Sequence, residues 1–140
     1  MGEDLVVTDA LVQLSFLVQS VFEQACAEHD TPPAQARLLG VLEGRSPGMA
    51  ELAGLLGVER ASVTGLVDRA ERRGLARRVA VPGDRRASRV ELTGQGRQVE
   101  AAFRTTVTDR LGALVADLPR SDHAHLTRMA ARILAAGAAR

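Results

Sequence analysis

Arginine supplies all 18 basic side chains of this 140-residue chain, and the arginines concentrate in one stretch. Residues 59–97 hold ten arginines and five acidic residues, a net charge of +5, while the rest of the chain carries −4. A guanidinium group presents planar hydrogen-bond donors that match phosphate oxygens and the edge of guanine. Codon bias explains the absence of lysine, but it does not explain the clustering. A basic stretch in an otherwise acidic chain predicts a nucleic-acid-binding face.

The other reactive side chains do not form the pattern of a catalytic or metal site. Cys26 is the single cysteine, which excludes an internal disulfide and a zinc finger. His123 and His125 lie two residues apart on a predicted helix and therefore do not share a face. The sequence shows no paired nucleophile and base, phosphate-binding loop or set of metal ligands around them. We therefore expect no enzymatic activity, no metal and no cofactor.

Two short helices that meet at Gly57 are predicted to position the first arginines. Met49 to Leu56 predicts one helix, and Gly57 can take the left-handed conformation that ends it. Arg60 to Arg73 predicts a second helix with one apolar face. The residues of that face are Val63, Leu66, Val67 and Ala70. The side chains expected to meet bases or phosphates of DNA are Arg60, Ser62, Thr64, Gly65, Arg69 and Arg72. Taken alone, this pattern also fits a solvated helix face.

An alternating segment follows the second helix and predicts a β-hairpin. The first strand runs from Leu75 to Val81, Pro82-Gly83-Asp84 forms the turn, and the second strand runs from Ser88 to Leu92. A hairpin that directly follows a recognition helix is typical of the wing in a winged helix-turn-helix protein.

The predicted wing carries four arginines that are expected to contact DNA and one carboxylate that is expected to orient one of them. Arg77 and Arg78 lie on the first strand and are expected to contact phosphates regardless of base sequence. Arg85 and Arg86 fall at the tip, where a guanidinium can enter a narrow minor groove. Phosphate would repel Asp84, so we expect Asp84 to orient the Arg86 guanidinium through a bidentate hydrogen bond.

Apolar stripes with helical spacing occupy both ends of the chain. They predict a long helix over residues 8–29, another long helix after Thr93, and a last helix over about 122–136. These stripes cover more surface than one small winged helix can bury, so a second chain is expected to cover the rest. The predicted fold class is mainly α with a small β-wing: a winged helix-turn-helix flanked by N- and C-terminal dimerisation helices.

These residues resemble the multiple antibiotic resistance regulator (MarR) family of bacterial winged helix-turn-helix proteins, and the resemblance covers nearly the whole chain. Its most specific part is the wing signature Asp-x-Arg-x-x-x-Val-x-Leu-Thr, which here consists of Asp84, Arg86, Val90, Leu92 and Thr93. Similar motifs open three predicted helices: Pro33-Ala34-Gln35, Glu51-Leu52-Ala53 and Leu92-Thr93-x-x-Gly96-Arg97.

The resemblance implies a single MarR-type domain over residues 1–140 that forms a homodimer. Dimerisation helices would span about residues 5–30 and 94–138, and the winged helix would span about residues 32–93. Two recognition helices would then read a pseudo-palindromic operator in double-stranded DNA. The implied function is a cytoplasmic, sequence-specific transcription regulator, most often a repressor, that a small phenolic or lipophilic effector releases from DNA. No membrane segment is expected.

Few aromatic residues are available to line an effector pocket. The residues expected there are Val12, Phe16, His29 and Phe103. Peroxide-sensing relatives carry a cysteine where Ser15 stands here. Cys26 continues the apolar stripe of the first helix, so its thiol is expected to be buried and inert. Two alternatives stay open: a redox-responsive regulator that acts through Cys26, and a winged-helix module that binds protein. The exposed arginines argue against the second, because protein-binding surfaces expose apolar anchors instead.

Overall fold

The computed structural model describes residues 6–140, so residue 5, where the first expected dimerisation segment begins, lies outside the described residues. The described chain forms six helices and one two-stranded sheet, which confirms the predicted fold class, mainly α with a small β-wing. In chain order the elements are α1 (Val7–Glu28), α2 (Pro33–Leu42), α3 (Met49–Leu56), α4 (Arg60–Arg72), β1 (Ala76–Val81), β2 (Asp84–Leu92), α5 (Gly94–Val115) and α6 (Arg120–Ala138).

Two compact units divide the chain, and the boundary between them, Val107/Thr108, falls within α5. In the first unit an aliphatic core joins α2, α3, α4 and both strands. The largest fully buried side chains of this core are Leu38, Leu39, Leu42, Leu52, Val63, Val67, Leu75 and Val90. Burying each Leu or Val contributes about 1.5–3 kcal/mol, and it is this packing that orients α4.

The buried face of α4 follows the period of the helix. Its four buried side chains are the predicted ones: Val63, Leu66, Val67 and Ala70. Gly57 ends α3 with φ +66, and its N–H donates to the Gly54 carbonyl at 3.2 Å, as the turn between the two helices requires. The outward residues of α4 are therefore fixed by packing on the opposite face.

The wing is an antiparallel hairpin with an irregular tip. Regular pairing runs from Ala76 opposite Leu92 to Ala80 opposite Ser88, and Val81 then pairs with Asp84. Residues 85–87 of β2 therefore have no partner on β1 and form a bulge. A third segment supports β2, because the Val90 N–H donates to the Pro47 carbonyl at 2.9 Å and Gly48 bridges Arg89. The second strand begins at Asp84, four residues earlier than predicted.

Thr93 and Gly96 join the wing to α5 by close backbone contact. The Thr93 hydroxyl donates to the Gly74 carbonyl at 2.6 Å and accepts the Gly96 N–H at 2.9 Å. The Thr93 N–H donates to the Leu75 carbonyl at 3.1 Å. Gly74 ends the preceding turn with φ +73. These bonds hold the first turn of α5 directly against the chain that leads from α4 into β1.

Helix α1 leaves most of its apolar stripe exposed. Only Ala25 and Cys26 are buried on it. Among the described residues, α1 is the one helix that is long and apolar enough to cross a membrane. This holds by length and composition only, and its mean hydropathy is 1.2. Amphipathic helices of soluble proteins pass the same test.

Helix α6, in the second unit, has no buried residue at all. Its large apolar side chains are exposed: Leu126, Met129, Ile133 and Leu134. A helix of 19 residues gains little stability from its own hydrogen bonds, and an apolar face of this size normally contacts another surface.

Candidate nucleic-acid interface

The outward face of α4 carries small side chains near its N-terminal end and arginines near its C-terminal end. Ser62 and Thr64 are exposed, and the Thr64 hydroxyl donates to the Arg60 carbonyl at 3.2 Å. Its lone pairs stay open to a donor. Gly65 leaves room for the Arg69 guanidinium, since a Cβ there would lie 3.4 Å from Arg69 Nη1. A helix with so little side-chain bulk can approach base edges in the major groove.

The bulge in β2 places two arginines at the tip of the wing. Arg85 and Arg86 are both exposed, and neither lies opposite a residue of β1. Gly83 forms the turn before them with φ +83, a conformation that glycine adopts without strain. Both arginines are thus exposed near the end of the hairpin, as a minor-groove contact needs.

Asp84 does not make the bidentate bond that the sequence predicts. Its Oδ1 accepts the backbone N–H of Arg86 at 3.0 Å, and the expected bond to the Arg86 guanidinium is not formed. The reason is local geometry, because a short carboxylate readily reaches the N–H two residues later and closes an Asx turn. Asp84 therefore shapes the backbone of the tip and leaves the Arg86 guanidinium unpaired.

Arg77 and Arg78 form ion pairs that the sequence did not predict. The Arg77 guanidinium binds Glu91, directly opposite on β2, with Nη2–Oε1 at 2.6 Å. The Arg78 guanidinium lies between two carboxylates of α4, Asp68 at 2.9 Å and Glu71 in a shorter contact. Arg77 lowers the pKa of the Glu91 carboxyl by hydrogen bonding and by its charge. The ion pair of Arg77 joins the two strands of the wing, and the ion pairs of Arg78 join the wing to α4.

We call the winged-helix part of the chain, residues 32–93, the head. In α4 and the two strands of the wing, the arginines that are exposed and form no ion pair within residues 6–140 are Arg60, Arg69, Arg72, Arg85, Arg86 and Arg89. Internal pairs neutralise Arg77 and Arg78, so the uncompensated positive charge of α4 and the wing lies on the outward face of α4 and on the outer part of the wing. Such a surface attracts the phosphate backbone of DNA.

A family model matches most of the head, and solved structures of other proteins match nearly the whole chain. A MarR family model matches residues 29–87, which include α2, α3, α4 and the wing tip. The structure of RV1404 from Mycobacterium tuberculosis is 27% identical, with a TM-score of 0.81 over 99% of this chain and 97% of that one. The transcriptional repressor CouR, bound to a 23-mer DNA duplex, is 29% identical, with a TM-score of 0.76 over 96% of this chain and 98% of that one. Residues 29–87 therefore resemble the MarR family, and the described chain has the fold of MarR-family regulators.

Other comparisons are consistent with the MarR fold. NadR in complex with 4-hydroxyphenylacetate is 22% identical, has a TM-score of 0.75, and covers 95% of each chain. No curated protein sequence matches the chain. The family and the fold are those of transcription regulators and not of enzymes. Across residues 6–140, no group of three or more His, Cys, Asp or Glu side chains is placed to hold a metal ion.

Sequence reasoning missed the acidic partners of the wing. Asp68 and Glu71 lie one turn apart on α4, and Arg78 follows Glu71 by seven residues. The i, i+3 spacing of the two acids before an arginine-bearing strand is a signal that could have indicated the pairing. The bridge of Gly48 to β2 had no comparable signal, because it depends on how the loop after α2 folds.

The expected effector residues separate into two places. His29 and Phe103 lie together, with ring centroids 5.9 Å apart, and Phe22 meets Phe103 edge-on at 5.1 Å. His29 Nε2 lies 2.8 Å from the hydroxyl of Thr106, a residue that the sequence did not single out. Val12 and Phe16 are exposed on α1, and Phe16 is roughly 20 Å along the helix from His29. The four residues do not form one pocket within a single chain.

A separate cavity of about 530 Å³ with several charged residues in its lining lies at the end of α2. Its charged lining consists of Glu43, Arg45, Glu91, Arg97, Glu100 and Arg104. Burial raises the pKa of Glu100, Arg104 Nε at 3.5 Å opposes the rise, and the charge of Glu43 adds to it. Because the folded-state pKa of Glu100 is raised, its contribution to stability is full at acidic pH and is lost as the pH rises through that pKa. Paired charges of this kind do not suit a lipophilic effector.

Cys26 is 4% exposed and packs with Ala25, Ala36 and Phe103. Burial raises the pKa of its thiol, and the nearby Glu23 carboxylate raises it further. A raised pKa lowers the thiolate fraction, and the thiolate is the form that reacts with peroxide. This environment agrees with an inert structural thiol and gives no support to a redox-responsive regulator.

We expect Cys26 to react with a thiol reagent at least roughly 100-fold more slowly in the folded protein than in guanidinium chloride. Hydrogen peroxide should leave DNA binding unchanged in the wild type and in Cys26→Ser alike. Stopped-flow labelling and a gel-shift titration measure the two effects. Fast labelling of the native protein, together with peroxide-driven release that Cys26→Ser abolishes, would establish Cys26 as a sensor.

Proposed function

We propose that this chain is a homodimeric, sequence-specific repressor of the MarR type that binds a pseudo-palindromic operator in double-stranded DNA. The observation that carries the proposal is the unpaired positive charge of the head, presented on α4 and on the wing tip. The residues assigned to DNA are Arg60, Ser62, Thr64, Gly65, Arg69, Arg72, Arg85 and Arg86. Arg77 and Arg78 are assigned a bracing role, because carboxylates hold their guanidinium groups.

The CouR comparison supports this function. CouR is similar to this chain over nearly its whole length, and it is a transcriptional repressor whose structure contains a bound DNA duplex. In this chain, base-specific contacts are assigned to the small and polar side chains of α4, and sequence-independent contacts to the wing arginines. Regulation of genes requires access to the chromosome, so the proposed location is the cytoplasm.

Homodimerisation is supported by apolar surface that the single chain leaves open. Helix α1 exposes Leu11, Leu14 and Val18, and α6 exposes its own apolar face. We assign about residues 5–30 and 94–138 to the dimer contact and about residues 32–93 to DNA reading, within one functional domain. An interface of this type buries more than about 2,000 Å².

The proposed effector is a small phenolic or lipophilic molecule. The complex of NadR with 4-hydroxyphenylacetate, in a protein of similar fold, supports this class of ligand. Phe22 and His29, which stay partly exposed beside the buried Phe103, are the aromatic groups that such a ligand would contact. Phenolic carboxylates titrated against the DNA complex test the proposal, and a complex that none of them weakens would speak against it.

Arg86→Ala should weaken operator binding by about 1–3 kcal/mol, because it removes a wing-tip guanidinium that no carboxylate holds. The wild type should lose affinity steeply with salt as phosphate contacts release counterions. Fluorescence anisotropy with a DNA site selected by the purified protein measures both effects. Arg120→Ala, with the same charge change outside residues 32–93, is the control. A flat salt titration of the wild type would contradict DNA binding altogether.

A further inference from the structure

Arg73 links the end of the recognition helix to the start of α2. It follows α4 as the residue after Arg72, and its guanidinium divides between two acceptors. Nη1 donates to the Gln35 side-chain oxygen at 2.7 Å, and Nη2 donates to the Asp30 carbonyl at 2.9 Å. Bonds from a charged donor are shorter and stronger than neutral ones. Among residues 6–140, Arg73 is the arginine whose hydrogen bonds join the end of α4 to the corner between α1 and α2.

Both acceptors are held in place by the fold. Gln35 is 5% exposed on α2, so it lies in the protein and cannot reach a phosphate. Asp30 adopts φ +49, a left-handed conformation that few residues other than glycine take. The corner around it is fixed, because the Thr31 N–H donates to the Cys26 carbonyl at 2.9 Å and the Thr31 hydroxyl donates to the His29 carbonyl at 3.0 Å.

We propose that Arg73 is a positioning residue that fixes the direction of α4 for base readout. This inference rests on the proposed function. Helix α4 is 13 residues long, and its base-reading residues lie near the end opposite Arg73. A tilt of about 5° about the Arg73 end would displace that far end by roughly 1.7 Å. Such a shift spoils hydrogen bonds to base edges, whereas attraction to phosphates tolerates it.

A direct phosphate contact is the competing role for Arg73, and the two roles predict different measurements. Loss of a phosphate contact weakens specific and non-specific binding alike and lowers the salt slope by about one. Loss of a positioning contact weakens specific binding, while non-specific affinity and the salt slope stay as they are. Substitutions of Gln35 isolate the positioning role, since Gln35 carries no charge and is buried.

The experiment compares affinities for a selected operator and for unrelated DNA over a range of salt concentrations. Gln35→Leu should lower operator affinity roughly tenfold, with non-specific affinity within about twofold of the wild type and an unchanged salt slope. Gln35→Glu, which keeps an acceptor for Arg73, should restore operator binding. Arg73→Met should lower the operator preference as Gln35→Leu does. Arg72→Met removes the same charge one residue earlier and should behave as a phosphate-type variant.

Circular dichroism establishes that each variant is folded. If Gln35→Leu does not fold, Arg73→Lys decides, because it keeps the charge but cannot bridge two acceptors. An unchanged operator preference in the folded variants overturns the inference. A parallel loss of both affinities in Arg73→Met, with a slope lowered by about one, also overturns it. A wild type without any operator preference overturns the proposed function itself, which the same titration reveals separately.

Discussion

The Gly96→Ala variant is expected to lose roughly 3 kcal/mol or more of its free energy of unfolding, or to fail to fold. A Cβ on Gly96 would lie 1.8 Å from the Leu75 carbonyl oxygen, 2.8 Å from its carbon and 3.2 Å from its Cα. All three atoms belong to the backbone, so no side chain can turn aside to make room. Relief requires α5 to move away from β1, and the bonds of Thr93 to Gly74, Leu75 and Gly96 oppose that movement.

Urea denaturation followed by circular dichroism measures this loss. Gly94→Ala is the matched control, because it adds the same methyl group in the same turn of α5. A Cβ on Gly94 would meet only the end of the Arg97 side chain, at 4.0 Å. The control should be neutral or slightly stabilising, as alanine favours helix more than glycine does. Equal midpoints for the two variants would show that α5 and β1 can separate at little cost.

The steric role of Gly96 illustrates the limit of reading a sequence. The motif around Gly96 was visible in the sequence, but the atom that excludes a side chain belongs to Leu75, 21 residues earlier. Contacts between residues that are distant in sequence depend on how helices and strands pack together. Local periodicity does not predict that packing. The buried face of α4 was predictable for the opposite reason. Helical spacing is local, so the positions of Val63 and Val67 are enough to define it.

The wing shows the same division between local and distant information. The turn at Gly83 and the regular pairing of Val90 were predictable from alternation and turn chemistry. The bulge was not, because it breaks the alternation that identifies a strand, and β2 consequently begins at Asp84. The pairing of Arg78 with α4 was also hidden. An arginine that pairs with a carboxylate and one that does not look identical in a sequence, so the ion pairs of Arg77 and Arg78 were not predictable.

The apolar stripes at the two ends of the chain lead to a second prediction of large effect. Leu126→Glu combined with Ile133→Glu should convert a dimer into a monomer. These two residues share one face of α6, seven positions apart, and are 44% and 49% exposed in the single chain. In a dimer they would be desolvated, and two unpaired carboxylates there would cost several kcal/mol. A monomer exposes both residues already, so its fold loses little.

Sedimentation equilibrium should give the mass of one chain, 14.9 kDa, for the double variant and twice that mass for the wild type. Ala124→Glu with Ala131→Glu is the matched control: it adds the same two charges with the same spacing on the opposite face of α6, and it should remain a dimer. Operator affinity of the monomer should fall by at least about 100-fold, because joining two heads makes the second binding event intramolecular. Non-specific affinity per head should change little, since the arginines of α4 and the wing are untouched. A monomeric variant that still binds the operator with wild-type affinity would mean that one head is sufficient for recognition.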